Sequence, residues 1–408
     1  MVPLRVDTII VRRIDLKRAS IARSNTIRDI NRQIVLNYVR ERGPISRAEI
    51  ASETALQRST VSLIVDDLKA NGLIEEVLGA STGGRPPILL SLHTANAVAI
   101  GVDLTTIRTI VATSDLAGRV IEQEVFSTDP DAHKSMARII TCIHKLIRKN
   151  RGTIEGIGVS LPGVVDPETG NAVFIPSFKW RDLAVSKEIR AATGLPARVD
   201  NDANAAALAE LWFGRPEIQD VRDFIFVLIE EGVGTGIVFD GQVYRGEAGA
   251  AGEFGHMTIG QGAPVSCAAG SRECWEAFSS ERAALARYAK LSGGVNEGGK
   301  INFEKLIDYA LKGDEMARTA LKETAHFLGI GIANLIQGLA PEAVIVGGAM
   351  VRAWPLIAGD IKAAFEASSC RGLPSSARII ASTLGAEPTL MGALSLVLAA
   401  KFASVSLT

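Results

Sequence analysis

Between residues 227 and 276 glycine recurs at a density that few folds tolerate. Gly232, Gly234 and Gly236 come first, and Gly246, Gly249, Gly252 and Gly255 follow. Each glycine adds chain entropy to be lost on folding, so each needs a backbone reason. Between the two runs, Asp240-Gly241 is a pair that turns a β-hairpin. Glu253, His256, Cys267, Cys274 and Glu276 stand in or just after the second run. The expected backbone reason is close approach of the main chain to a ligand. Carboxylates and an imidazole beside such a turn suit a polyol, whose hydroxyls need acceptors.

The rest of the composition narrows the class. Apolar residues at 47% and charged residues at 22% describe an ordinary soluble globular chain. Its 408 residues leave room for two to three domains. Aromatic content of 5% argues against a stacking platform for single-stranded nucleic acid. Cys142, Cys267, Cys274 and Cys370 are scattered rather than framed, which points to a reducing cytoplasm. No apolar run reaches membrane-spanning length, and residues 390–400 read as a buried helix. The N-terminus lacks the apolar core of a secretory signal. Net charge is -1, but residues 1–95 hold 14 Lys and Arg against 10 Asp and Glu. The positive surplus therefore lies in the first quarter of the chain.

That quarter reads as a winged helix-turn-helix. Apolar spacing predicts a helix over 31–42, ended by Gly43-Pro44. Ser46 and Glu49 form a capping-box pattern that opens a second, short helix. Ala51, Ala55 and Val61 fall where the motif needs a small residue, a turn and a core contact, with Ile50, Leu56 and Ile64 completing the core. The turn favours glycine, so Ala55 should cost on the order of 1 kcal/mol. Residues 58–71 are the expected recognition helix, offering Arg58, Ser59, Thr60 and Ser62 to phosphates and base edges. Strands at 74–78 and 88–92 flank a Gly-Arg-Pro tip whose Arg85 suits a narrow minor groove. The Arg-rich segment 1–30 is a candidate basic arm, and 31–95 the DNA-binding domain.

Beyond residue 95 a pattern repeats. Strands at 98–103, 109–114 and 119–127 precede an amphipathic helix at 130–150 and a strand at 154–160. Strands at 223–228, 236–239 and 242–245 precede long helices, notably 316–338, and a strand at 343–346. Together with the motifs 161–163, 175–180 (IPSFKW), 200–210 (DNDANAAALAE) and the Gly-Glu-His-Cys stretch, the chain resembles the ROK family of repressors and sugar kinases. The resemblance implies an α/β fold: a winged helix-turn-helix followed by a two-lobed, actin-like (duplicated ribonuclease H-like) sugar-kinase fold. Its first lobe would run over 96–202, completed by a C-terminal helix at 386–408, and its second over 203–385.

The resemblance also implies a sugar site in the cleft between the lobes. Gly163, Ser177 (where the family usually has Asn), Asn201, Asp202, Glu253, His256 and Glu276 would line it. Asp202 would be the general base in a kinase. Active family kinases carry an Asp-x-Gly-x-Thr phosphate loop; here the place reads Asp103-Leu104-Thr105-Thr106, without the glycine. The expected protein is therefore no enzyme but a sugar-responsive repressor of carbohydrate-utilisation genes. Its partners would be operator DNA, a sugar effector and a second copy of itself, as a homodimer or homotetramer. The alternatives are an ATP-dependent sugar kinase with an accessory DNA domain and a DNA-binding scaffold run by a protein partner. The family's structural zinc site uses one His and three Cys; here His256, Cys267 and Cys274 remain and Ala269 replaces the third thiol. Zinc would then need a water or nearby carboxylate as fourth ligand.

Overall fold

The computed structural model describes residues 24–80, 86–94, 97–150, 152–214, 221–293, 301–369 and 376–402. Two compact units divide the chain, residues 1–93 with 402–408 and residues 94–401.

The smaller unit is three helices and a hairpin: α1 (Ser24–Arg42), α2 (Arg47–Thr54), α3 (Arg58–Ala70), β1 (Ile74–Leu78) and β2 (Ile88–Leu92). Ser46 caps α2 through the full capping box, its Oγ accepting from Glu49 N while Glu49 accepts from Ser46 N. Ala55 ends α2 at φ 56°, the left-handed conformation the motif demands. Val35, Leu36, Val39, Ile50, Val61, Val65, Leu68 and Leu90 close a small core from all three helices and the hairpin. Helix α1 starts at Ser24, seven residues earlier than apolar spacing marked, so the end of the expected arm belongs to a helix. Its early turns are exposed, as at Ile27, and so give little periodic signal. β1 and β2 pair antiparallel from Ile74↔Leu92 to Leu78↔Ile88. The wing tip with Arg85, and the arm before residue 24, lie outside the described residues.

The larger unit holds two five-stranded sheets built to one plan. In the first, β3 (Ala97–Leu104), β4 (Arg108–Ser114) and β5 (Val120–Ser127) form an antiparallel meander. After α4 (Ala132–Lys149), β6 (Thr153–Leu161) joins β3 in parallel, and β10 (Ala197–Asn201) joins β6. In the second, β11 (Phe224–Ile229), β12 (Val233–Phe239) and β13 (Gln242–Tyr244) repeat the meander. There β14 (Ala343–Gly347) joins β11 in parallel, and β15 (Arg378–Ala381) joins β14. The orders β10-β6-β3-β4-β5 and β15-β14-β11-β12-β13 are the same arrangement twice, as a duplicated fold requires. Asp240 at φ 52° and Gly241 at φ 68° make the expected tight turn from β12 to β13.

The insertions differ. The first half adds a small sheet, β7 (Val164–Asp166), β8 (Asn171–Ile175) and β9 (Trp180–Leu183), and then α5 (Val185–Thr193). The second adds α7 (Trp275–Ser279), α8 (Glu281–Leu291), α9 (Phe303–Leu311) and α10 (Glu315–Leu339), followed after β14 by α11 (Trp354–Ser368). The alanine-rich α6 (Asp202–Phe213) follows β10 directly and lies against β12. Helix α12 (Pro388–Phe402) lies on the first sheet: a Cβ on Gly158 would fall 1.8 Å from Ala393 O, and one on Gly101 2.8 Å from Leu394.

Those contacts change the meaning of the glycines. A Cβ on Gly236 would sit 2.4 Å from Ala203 O, on Gly252 2.3 Å from Thr235 O, and on Gly255 2.1 Å from Val233 O. On Gly249 it would sit 2.0 Å from Val165 O. These glycines admit the chain's own backbone rather than a ligand's atoms, contrary to the expectation from sequence. Gly232 and Gly234 differ: a Cβ on Gly232 would meet the Glu276 side chain, and one on Gly234 the Ala203 side chain at 3.0 Å and then Asp202 Oδ1 at 3.7 Å.

Candidate functional site

In the smaller unit, α3 turns Val61, Ile64, Val65 and Leu68 inward. Arg58 and Ser59 are exposed on its first turn. Thr60 and Ser62 are only half-buried flank positions rather than fully outward ones. Counting 100° per residue from the core stripe, Ser59, Leu63 and Asp66 occupy the opposite face. Leu63 was absent from the sequence-based set, and it is 73% exposed. Gln57 makes no side-chain cap, so the first-turn N–H groups of α3 stay available to an anion. Arg47 ties this helix to the wing by pairing with Asp66 at 2.9 Å and Glu76 at 3.0 Å.

In the larger unit, chemistry gathers where the ends of β3 and β10 meet the β11–β12 turn. Asn201 closes β10 and caps α6, accepting from Ala203 N and Asn204 N. Its Nδ2 donates to Gly163 O at 3.0 Å, which fixes the 161–163 loop beside it. Below, Arg245 holds the buried Asp200 through Nε at 2.9 Å and Nη2 at 2.6 Å. Asp202 opens α6 with Oδ1 accepting from Ala203 N at 2.7 Å. Burial, with Glu253 adding repulsion, pushes the Asp202 carboxyl up to about 7. Such a group gains most from a ligand that donates hydrogen bonds to it.

Glu253 and His256 share one short helical turn, with Glu253 Oε2 3.9 Å from His256 Nε2 and both side chains open to solvent. Burial and the nearby Glu276 raise the Glu253 carboxyl, while His256 opposes the rise. Glu276 itself is buried and occupied, accepting from Ala268 N at 2.8 Å and from Arg282 Nη2 at 3.1 Å. It lies under Gly232, whose Cβ would come 2.9 Å from Oε2. Trp275 is fully buried against Gly331 of α10 and donates from Nε1 to Phe327 O at 3.1 Å. This anchor fixes Cys274 and Glu276 on either side of it. Asn201, Asp202, Glu253, His256 and Glu276 thus share one neighbourhood, with Gly163 at its edge. Ser177 stands exposed in the turn between β8 and β9.

A second group gathers around Asp103, which the sequence marked only as the start of the 103–106 loop. Asp103, at the end of β3, is 1% exposed, and neither carboxylate oxygen reaches hydrogen-bond geometry. Burial lifts its carboxyl to about 7 against the pull of the Thr389 hydroxyl, with Glu387 and Asp202 adding repulsion. Burial also raises Glu230 well above the usual range, helped by Asp103, Asp202, Glu281 and Glu387. Glu281 is pushed up to about 8 by burial and by Glu231 and Glu304. Arg108 is committed to Glu387 through Nη2, at 2.7 and 2.8 Å. Thr106 Oγ1 donates to Glu231, joining the β3–β4 turn to the β11–β12 turn. Nothing in a linear reading marks carboxylates 230, 281 and 387 as neighbours, because the duplication alone brings them together. The two shallow surface pockets, at Thr113–Lys149 and Glu155–Val397, lie away from all of these groups.

His256, Cys267 and Cys274 bring their donor atoms within 4.8 Å of one another. One imidazole and two thiols form a zinc-type donor set, and Ala269 adds nothing to it. Burial and the Cys267 thiol push the Cys274 thiol up to about 11, so a metal would have to displace its proton.

Comparison with known proteins agrees with this anatomy. Residues 98–400 match the ROK family, and residues 28–75 match a winged helix-turn-helix DNA-binding family. A xylose repressor of Caldicellulosiruptor bescii is 35% identical over 335 residues, covering 79% of this chain and 83% of the relative. A crystal structure of a ROK family transcriptional regulator, a homologue of the E. coli MLC protein, superposes with a TM-score of 0.76 at 27% identity. That match covers 92% of this chain and 97% of the other. A ROK glucokinase of Streptomyces griseus, solved with glucose and AMPPNP, superposes with a TM-score of 0.66 at 28% identity. It covers 73% of this chain and 98% of its own. With nearly three quarters of its length inside the family match, and a DNA-binding module ahead of it, the chain belongs to the ROK family.

Proposed function

We propose that this protein is a sugar-responsive DNA-binding repressor of carbohydrate-utilisation genes, working in the cytoplasm as a homodimer or homotetramer. The observation that carries the reading is the neighbourhood of Asp202, Glu253, His256 and Glu276 in the same chain as a winged helix-turn-helix. Asp202, Glu253 and His256 would accept or donate to sugar hydroxyls, and Asn201 with Gly163 would set the loop that covers them. Glu276 would orient the site from beneath, and Ser177 would close on the ligand from the 176–179 turn. Arg58, Ser59, Thr60 and Ser62 would meet the major groove, and Arg85 the minor groove of an operator with two-fold symmetry. The xylose and MLC-type regulators among its relatives support the same division of labour.

The kinase reading is disfavoured by the phosphate end of the site. In a kinase of this fold the triphosphate would lie between the two β-turns, and here carboxyl groups 103, 230, 231, 281 and 387 gather at that end. Both basic groups there are engaged, Arg108 by Glu387 and Arg282 by Glu276. Gly347 and Gly348, which look like an adenosine loop, are needed by the fold: a Cβ on either would meet the Phe226 ring at 2.2 Å or Ile229 O at 2.0 Å. Zinc, when bound, would supply a structural cross-link. His256, Cys267 and Cys274 would hold it, and they would leave its fourth position to water or a carboxylate.

The test is a linkage measurement. Operator affinity is followed by fluorescence anisotropy with and without a panel of pentoses, hexoses and N-acetylamino sugars. Asp202→Ala or Glu253→Ala should keep sugar-free operator affinity and weaken the sugar by about 10- to 150-fold. A sugar bound with wild-type affinity by the double variant would show that the site lies elsewhere.

A further inference from the structure

Helix α3 carries one feature that phosphate contacts and hydrogen bonds to base edges do not use. Leu63 points straight away from the core stripe of Val61, Ile64, Val65 and Leu68, and it is 73% exposed. It stands one turn beyond Ser59 on the same face, with Arg58 ahead of it on the first turn. Its surroundings are hydroxyls, the Arg58 cation and, one turn on, the Asp66 carboxylate that Arg47 pairs at 2.9 Å, not an apolar groove, so the patch is a poor seat for a protein helix. The uncapped N-terminus of α3 on the same side suits a phosphate. A polar, cationic first turn followed one turn later by a single bulky hydrocarbon on the same face is suited to the major-groove floor. There the one hydrocarbon on offer is the thymine C5-methyl group.

We propose that Leu63 reads thymine methyl groups in the operator and is a specificity-determining residue. The inference rests on the DNA-reading assignment of α3 and deepens it by naming the base and the atom. Ser59 and Ser62 set hydrogen bonds beside it, and Leu63 selects T·A over C·G at one or two positions of each half-site. Cytosine presents a bare C5 and an amino group there, so Leu63 gains no methyl contact and covers an unpaired donor.

The experiment uses the full-length protein and a duplex obtained by in vitro selection from a random pool. Each thymine of the selected site is replaced in turn by deoxyuridine, which lacks only the methyl group. Wild-type protein should lose about fourfold in affinity at one or two thymines per half-site, the equivalent of one buried hydrocarbon group. Leu63→Ala should bind the thymine site more weakly and bind the deoxyuridine site equally well. Leu63→Met should keep the methyl dependence, and circular dichroism melting should show all three proteins folded alike. If wild type ignores every methyl, or Leu63→Ala keeps the dependence, the inference is overturned while the repressor reading stands. If selection enriches no sequence at all, the DNA-reading assignment fails and takes the inference with it.

Discussion

Replacing Asp103 by asparagine should make this protein more stable, and more so at high pH. The carboxyl is 1% exposed, has neither oxygen within hydrogen-bond geometry, and faces Glu387, Asp202 and Glu230, with the Thr389 hydroxyl and Arg108 opposing them. Folding lifts its pKa from 3.8 to about 7. A raised carboxylate pKa means that the folded state holds a proton which the unfolded chain releases. The group costs little below pH 4, and its cost grows as pH rises from 4 to 7. Three units correspond to roughly 4 kcal/mol at pH 8, and to less than roughly 2 kcal/mol at pH 5. Asparagine keeps the shape and removes the charge. Whatever the amide costs by itself is the same at both pH values, so the difference between them isolates the ionisation. Thermal melting of wild type and Asp103→Asn should show a gap that widens by on the order of 5 °C between pH 5 and pH 8. A gap that stays constant with pH would refute the reasoning, because it would mean that Asp103 is charged and solvated in the folded protein.

Ala55→Gly should stabilise the DNA-binding unit by up to about 1 kcal/mol, seen in urea denaturation, because Ala55 sits at φ 56°. Ser46→Ala should cost about 1 kcal/mol in the same assay by removing the capping box. Gly236→Ala should destabilise by roughly 1–3 kcal/mol, since its methyl would stand 2.4 Å from Ala203 O; a variant as stable as wild type would show that α6 shifts freely on β12. The purified protein should transfer no phosphate from ATP to pentoses, hexoses or N-acetylamino sugars in a coupled assay. Turnover abolished by Asp202→Asn would reverse that assignment.

Much of the architecture was legible because it is locally encoded. The capping box at Ser46 and Glu49, the wing strands, the Asp240-Gly241 hairpin and the apolar face of α4 each follow from a few adjacent residues. The duplication showed in the repeated meander, although the sheet β7–β9 did not, since its strands of 3 to 5 residues carry too little alternation. The site was legible only as a resemblance. Periodicity could not say that Asn201 would spend its amide on capping α6 and on Gly163, or that Glu276 would be buried under Gly232. Leu63 was passed over because an apolar residue in a helix is assigned to the core by default. Only its angular position, 200° from Val61, separates it from Ile64.

The glycines carry the more general point. Their density near residues 232–255 was read as room for a ligand, yet most of them make room for the fold itself. Gly236 receives α6, and Gly252 and Gly255 receive β12, each at a distance no Cβ would allow. A helix or loop packed this closely on a strand needs backbone within Cβ distance of backbone, and glycine permits that approach. The fold therefore needs these glycines whether or not the site transfers phosphate. Gly347 and Gly348 likewise make room for Phe226 and Ile229 of the same sheet, beside a turn that carries Glu230. Glycine patterns in such a chain identify the fold, while the charges placed between the turns decide the chemistry. Here those groups are carboxyls, several of them pushed by burial toward the neutral form, and a Thr106–Glu231 hydrogen bond spans the gap. On the proposed reading, a triphosphate would have to break that bond and enter among carboxyl groups, whereas a neutral sugar beside Asp202 would meet acceptors that its hydroxyls can satisfy.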